Sequence, residues 1–173
     1  MKNNCQVYIA CRMTGRSKQD QVRRAKFVCN KLRQAGITPI SPVLDEGVEE
    51  TPEALVVGDR EELRGHWTRD KYIIARCAHV ILFDGSDEGS VGVTREYGFA
   101  RYCLWKPSII LWNKPRGITV ADFEDDAIVF TVEQAIDVIL RNYFTRLQRW
   151  RWRRKMLFRS LPRWFVNQIY AWR

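Results

Sequence analysis

The stretch Asp70-Lys-Tyr-Ile-Ile-Ala-Arg-Cys77, followed by His79-Val-Ile-Leu-Phe-Asp84 and then by Ser90-Val-Gly-Val-Thr-Arg-Glu96-Tyr-Gly-Phe-Ala100, decides the fold. It reads as a helix carrying one carboxylate, a short apolar strand, a loop rich in glycine and acid, and a second helix with a carboxylate near its first turn. A strand of five apolar or aromatic residues between helices is buried on both faces, as in parallel sheets. In an open parallel sheet, ligands sit in the crevice at the carboxyl ends of the strands. Asp70 and Glu96 are therefore placed to converge on one ligand from two elements.

The same alternation extends in both directions. Gln6–Ala10 reads as a first strand, with Thr14-Gly15 as the turn that leaves it. From Lys18 to Ala35, Val22, Ala25, Val28, Cys29 and Leu32 recur at helical spacing, and Gly36 supplies the stop. Ile37–Ser41 is a second strand whose proline suits an edge position or a strand start. Leu44–Gly58 has no period and reads as a loop over the crevice. Asp59–Cys77 is expected to be helical, as is Val91–Trp105. Strands are expected at His79–Phe83, Ser108–Trp112 and Ala127–Phe130. Thr131-x-x-Gln134 then fits a capping box opening the last helix of the body. This alternation predicts an α/β, flavodoxin/Rossmann-like open sheet of five parallel strands, in order 2-1-3-4-5 with helices on both faces.

Composition narrows the function classes. The chain has 173 residues with 46% hydrophobic and 28% charged, enough for one domain and an appendage. Five scattered cysteines without a CxxC pair, and no signal sequence ahead of them, read as thiols in a reducing, cytoplasmic setting. His66 and His79 are isolated, so no metal is expected; His79 reads as a satisfied histidine of a strand end. No GxGxxG follows the first strand and no GxxxxGK[ST] occurs, so no nucleotide cofactor is expected. The net charge of +9 is unevenly spread: residues 141–173 hold ten Lys/Arg and no acid, leaving 19 basic against 20 acidic residues in the rest.

The ordered set Val7-Tyr8-Ile-Ala10, Met13-Thr14-Gly15, Trp67-x-x-Asp70, Ser90-x-Gly92-x-x-x-Glu96-x-Gly98-x-Ala100 and Lys106-Pro107 resembles the nucleoside 2-deoxyribosyltransferase superfamily. It is closest to the branch of 2′-deoxynucleoside 5′-monophosphate N-glycosidases and related phage and bacterial proteins, over about residues 5–140. The resemblance implies that Glu96 is the nucleophile, capturing C1′ of the sugar as an oxocarbenium-like centre forms. Its place near a helix start favours the ionised form. Asp70 would then protonate the departing base or hold it in register, and the Tyr8 hydroxyl would orient the nucleophile.

Substrate would be bound by Arg12, Met13, Thr14 and Gly15 after the first strand and by Asp84, Gly85, Ser90 and Gly92 after the third. Ser90 stands where classical transferases tend to have an aspartate. A carboxylate repels phosphate, so serine there, with Arg12 and Thr14, suits a 5′-monophosphate. Cys11-Arg12 stands where relatives often carry Gly-Pro or Gly-Ser, which would narrow the base pocket or change its register. The residues leave open hydrolysis or base transfer, a glycohydrolase acting on NAD or a nucleotide signal in defence or counter-defence, and a nucleotide-binding module without catalysis.

Beyond residues 1–148 of this domain, residues 149–173 form a basic extension rich in Trp and Arg. Four of the seven tryptophans lie in the last 33 residues. Ile136, Ile139, Leu140, Tyr143, Leu147 and Trp150 share one helical face, so the last helix is expected to dock as far as Trp150. Interleaved Arg and Trp suit a nucleic acid, an anionic membrane surface or a neighbouring copy in a homo-oligomer.

Overall fold

The computed structural model describes residues 5–11, 17–45, 60–84, 96–111 and 127–160. Five strands, β1 (Gln6–Cys11), β2 (Thr38–Ile40), β3 (Val80–Asp84), β4 (Ser108–Leu111) and β5 (Ala127–Val129), form one parallel sheet in the order β2-β1-β3-β4-β5. The helices are α1 (Lys18–Gln34), α2 (Pro42–Asp45), α3 (Arg60–Arg76), α4 (residues 96–103), α5 (Val132–Asn142) and α6 (Arg146–Ser160). Fold class and strand order match the expectation from sequence.

Alternation along the strands builds two cores. Val7, Ile9, Val80, Leu82, Ile109 and Leu111 point to one face, where Val28, Leu32, Ala135 and Ile139 of α1 and α5 cover them. Tyr8, Ala10, Ile81, Phe83 and Ile110 point to the other, against Ile74 of α3 and Tyr97 and Ala100 of α4. Two-sided burial explains why these strands read as continuous apolar runs.

Local signals act where the sequence carries them. Ser17 accepts from the Asp20 amide and caps α1, and Gly36 takes a φ of 74° just past its end. Pro39 lies in the edge strand β2, opposite Val7. His79 Nδ1 accepts from the Gln6 amide at 3.0 Å, so this histidine ties β1 to the start of β3. The Thr131–Gln134 capping box is formed in both directions.

Three expectations are corrected. Part of the expected loop is helical, because Pro42 opens α2; residues 46–58 of that loop lie outside the described residues. The helix expected to run through Trp105 closes instead as a π-helix at Phe99–Cys103, with the Leu104 amide donating to the Phe99 carbonyl at 3.2 Å. Residues five apart diverge by roughly 140° on an α-helix. The wider π turn restacks them, and the rings of Tyr97 and Tyr102 meet edge-on at 6.1 Å.

The third correction concerns the last helix. It breaks at Tyr143–Thr145, where a second capping box, Thr145 with Gln148, opens α6. Arg149 donates to the Tyr143 and Phe144 carbonyls at 2.9 and 2.7 Å, satisfying the broken end. The break turns Leu147 and Trp150 outward, each 54% exposed. Trp152 docks instead, edge-on to Tyr143 at 6.2 Å and against the core.

Candidate active site

Tyr8 occupies the middle of β1 and is fully buried on the α3–α4 side of the sheet. Glu96 opens the described part of α4, and the Tyr8 hydroxyl donates to its Oε1 at 3.1 Å. Asp70 lies on α3 with its side chain 14% exposed, accepting from Arg69 Nη2 at 3.1 Å. Two covering helices and one central strand thus bring together the three residues expected to carry the chemistry.

Aromatic packing fixes the helix that carries Glu96. Tyr97 meets Phe83 of β3 edge-on at 5.1 Å, and Phe99 meets Trp67 of α3 at 6.0 Å. Trp67 and Asp70 are one turn apart on α3, so the ring that anchors α4 and the carboxylate share one helix face. Rigid elements, rather than loops, hold the trio.

Burial drives the electrostatics. The Glu96 carboxyl is pushed up to about 8, chiefly by loss of water and then by the Asp70 charge; the hydrogen bond from Tyr8 pulls the other way. Removal from water and the like charge of Asp70 thus oppose the ionised form expected of a carboxylate near a helix start. The Tyr8 phenol is driven far above its ordinary value by burial and by the Glu96 and Asp70 charges, so it stays a hydrogen-bond donor at any physiological pH. A carboxyl poised near neutrality, with a donor fixed on it, is equipped for nucleophilic or proton-transfer chemistry.

Asp84 follows another path. It ends β3 with the parity of Val80 and Leu82, facing α1 rather than the Tyr8 side. There Arg24 grips both of its oxygens, Nε at 2.7 Å and Nη2 at 3.3 Å. Asp84 and Cys11 are register partners at the carboxyl ends of β3 and β1, so this ion pair borders the crevice. Arg12, Met13, Thr14, Gly15, Gly85, Ser90 and Gly92 lie outside the described residues.

Two sets of contacts escape a reading of the sequence. Arg24 reads as one more polar residue on the outer face of α1. Lys106 is buried, and its Nζ donates to the carbonyls of Ala75, at 3.0 Å, and Ala78, thereby capping the end of α3 from a distance. The sequence places Lys106 in the Lys106-Pro107 pair of the family resemblance but does not give it this role, and a lysine is rarely buried.

Among the described residues, no group of three or more His, Cys, Asp or Glu could hold a metal, and no helix is long and apolar enough to cross a membrane. None of the five cysteines forms a disulfide.

No family model matches the chain, and no curated protein does either. Among solved structures it is similar to a 2-deoxyribosyltransferase from the psychrotolerant bacterium Bacillus psychrosaccharolyticus, described as a biocatalyst for synthesis of antiviral and antitumoral nucleosides. The match has a TM-score of 0.58 at 20% identity and covers 77% of this chain and 91% of that one. The two share a fold.

Proposed function

We propose that this chain cleaves or exchanges the N-glycosidic bond of a (deoxy)nucleoside 5′-monophosphate, with Glu96 as nucleophile. The observation that carries the reading is the part-buried hydrogen bond from the buried Tyr8 to Glu96, beside Asp70. A surface glutamate needs neither a buried phenol nor a neighbouring carboxylate. The fold shared with a 2-deoxyribosyltransferase supports the same class of chemistry.

In the first step the ionised Glu96 oxygen bonds to C1′, and the C1′–N bond breaks with its electron pair going to the base. Asp70 supplies the base with a proton or holds it in register. In the second step water attacks C1′, loses a proton and restores the Glu96 carboxylate, releasing the sugar phosphate. In a transferase a second base replaces that water. Tyr8 favours the carboxylate form of Glu96 by donating to it, while positive charge developing at the sugar favours the same form.

The 5′-phosphate preference rests on sequence: Ser90 removes the acid that would repel a phosphate, and Arg12 and Thr14 supply a charge and a hydroxyl. A homo-oligomer is part of the same reading. The deciding experiment is incubation with deoxynucleosides, nucleosides, their monophosphates and NAD, with free base resolved by chromatography. Base release from monophosphates, abolished by Glu96→Gln, is the expected result. Release from NAD alone would move the chain to another glycohydrolase class, and release unaffected by Glu96→Gln would remove the nucleophile.

A further inference from the structure

Away from the Tyr8–Glu96 site, α6 and the end of α4 enclose an open cleft of about 550 Å³ lined by Trp105, Trp150, Arg153 and Arg154. Among the described residues the lining is two tryptophans and two arginines. Trp150 is 54% exposed, with the Arg154 guanidinium over its ring at 5.6 Å. Trp105 has a φ of 53°, and it is the non-glycine residue with positive φ among the described residues. A bulky side chain is strained in that conformation, and such strain clusters at functional positions.

Charge gives the cleft its partner. Residues 141–173 hold ten Lys/Arg and no acid. The Arg153 charge is felt by buried Lys106, whose ammonium is held down at about 8 by burial first and by Arg153 second. A ligand carrying negative charge would relieve that repulsion.

We propose that the Trp105–Trp150–Arg153–Arg154 cleft binds single-stranded nucleic acid, stacking bases on the two indoles and holding the backbone phosphates with the two arginines. Interleaved aromatic rings and cations are what such strands require, because every base has a π-face and every linkage a charge. A membrane surface requires an amphipathic helix with a continuous apolar stripe. At roughly 100° per residue, positions 146, 149, 151, 153, 154, 155 and 159, all Arg or Lys, leave no arc of α6 wider than about 80° without a cation, and no such stripe exists. Two copies of α6 packed together would oppose like charges.

The test is fluorescence anisotropy of a labelled oligothymidylate of about 12 nucleotides, within the site sizes of such proteins. The full-length protein is compared with Trp150→Ala, Trp150→Phe and the double variant Arg153→Ala/Arg154→Ala. Trp150→Ala is expected to weaken binding about tenfold or more, with Trp150→Phe retaining most of it. The double variant is expected to lower the salt slope by about 1.4, two phosphates at roughly 0.7 each. Exposure of these side chains keeps the fold out of the comparison, and thermal melts verify it. Absence of oligonucleotide binding overturns the proposal, as does binding indifferent to both sets of substitutions. Binding of phosphatidylserine vesicles in place of the oligonucleotide also overturns it, as does a change in oligomer size that accounts for the lost affinity.

Discussion

Tyr8 and Glu96 stand 88 residues apart in the chain and 3.1 Å apart in the fold, and the phenol donates to a carboxyl that burial holds near neutrality. Tyr8→Phe is expected to leave the strand packed while removing the bond that favours the carboxylate. The acid limb of the kcat/KM profile for base release should then move to higher pH, with kcat falling about tenfold. Steady-state kinetics from pH 6 to pH 10 check this, and an unmoved limb would detach Tyr8 from the nucleophile.

In the unsubstituted protein that limb should lie near 8, where Glu96 ionises. Glu96→Gln should abolish base release yet keep substrate binding by calorimetry, since it removes transition-state rather than ground-state contacts.

Stability should respond to the same carboxyl. Its folded pKa is raised from 4.5 to about 8, so the folded state holds a proton that the unfolded chain releases. Its contribution is complete below the unfolded value, declines as pH rises, and is lost above the folded one. The slope is at most about 1.4 kcal/mol per pH unit. Urea melts at pH 5 and pH 9 should show that loss in the parent and a smaller one in Glu96→Gln.

Monophosphates should be preferred over nucleosides by about tenfold or more, at roughly 1.5–3 kcal/mol per hydrogen bond to a charged group. Ser90→Asp should shrink that ratio by raising KM for the monophosphate. Competition assays with both substrates measure it.

Lys106→Met should cost about 1–3 kcal/mol, because it strips the donor shared by the Ala75 and Ala78 carbonyls and leaves both at the end of α3. Base-release kinetics at a temperature where the variant is folded should also decline, since α3 carries Asp70.

Much of this architecture is legible in the residues themselves. Val7–Ala10 and Val80–Phe83 are too apolar for anything but buried strands, and their order follows from the helices between them. Asp70 and Glu96 stand out as carboxylates on otherwise regular elements, whereas Tyr8 gains its role only through the family resemblance. What periodicity does not carry is a departure from period. The π turn at Phe99–Cys103 needs the Tyr97–Tyr102 contact, which is tertiary. The break before α6 was written locally, as Thr145-x-x-Gln148, yet the apolar repeat running through Tyr143 to Trp150 concealed it. Ion pairs such as Arg24 with Asp84 join residues 60 apart, and no local pattern announces them.

The strand order also sets a schedule for the nascent chain. β1 lies inside the sheet, and its partner β3 pairs Val80 with Val7. At synthesis rates of about 5–20 residues per second, β1 waits roughly 4–15 s for that partner to be made. During that interval one edge of an apolar strand is open, with β2 alone able to cover the other. Parallel pairing across such separations is slow for entropic reasons as well. The arrangement that buries the phenol under two helices therefore makes the chain most vulnerable to aggregation while it is being born.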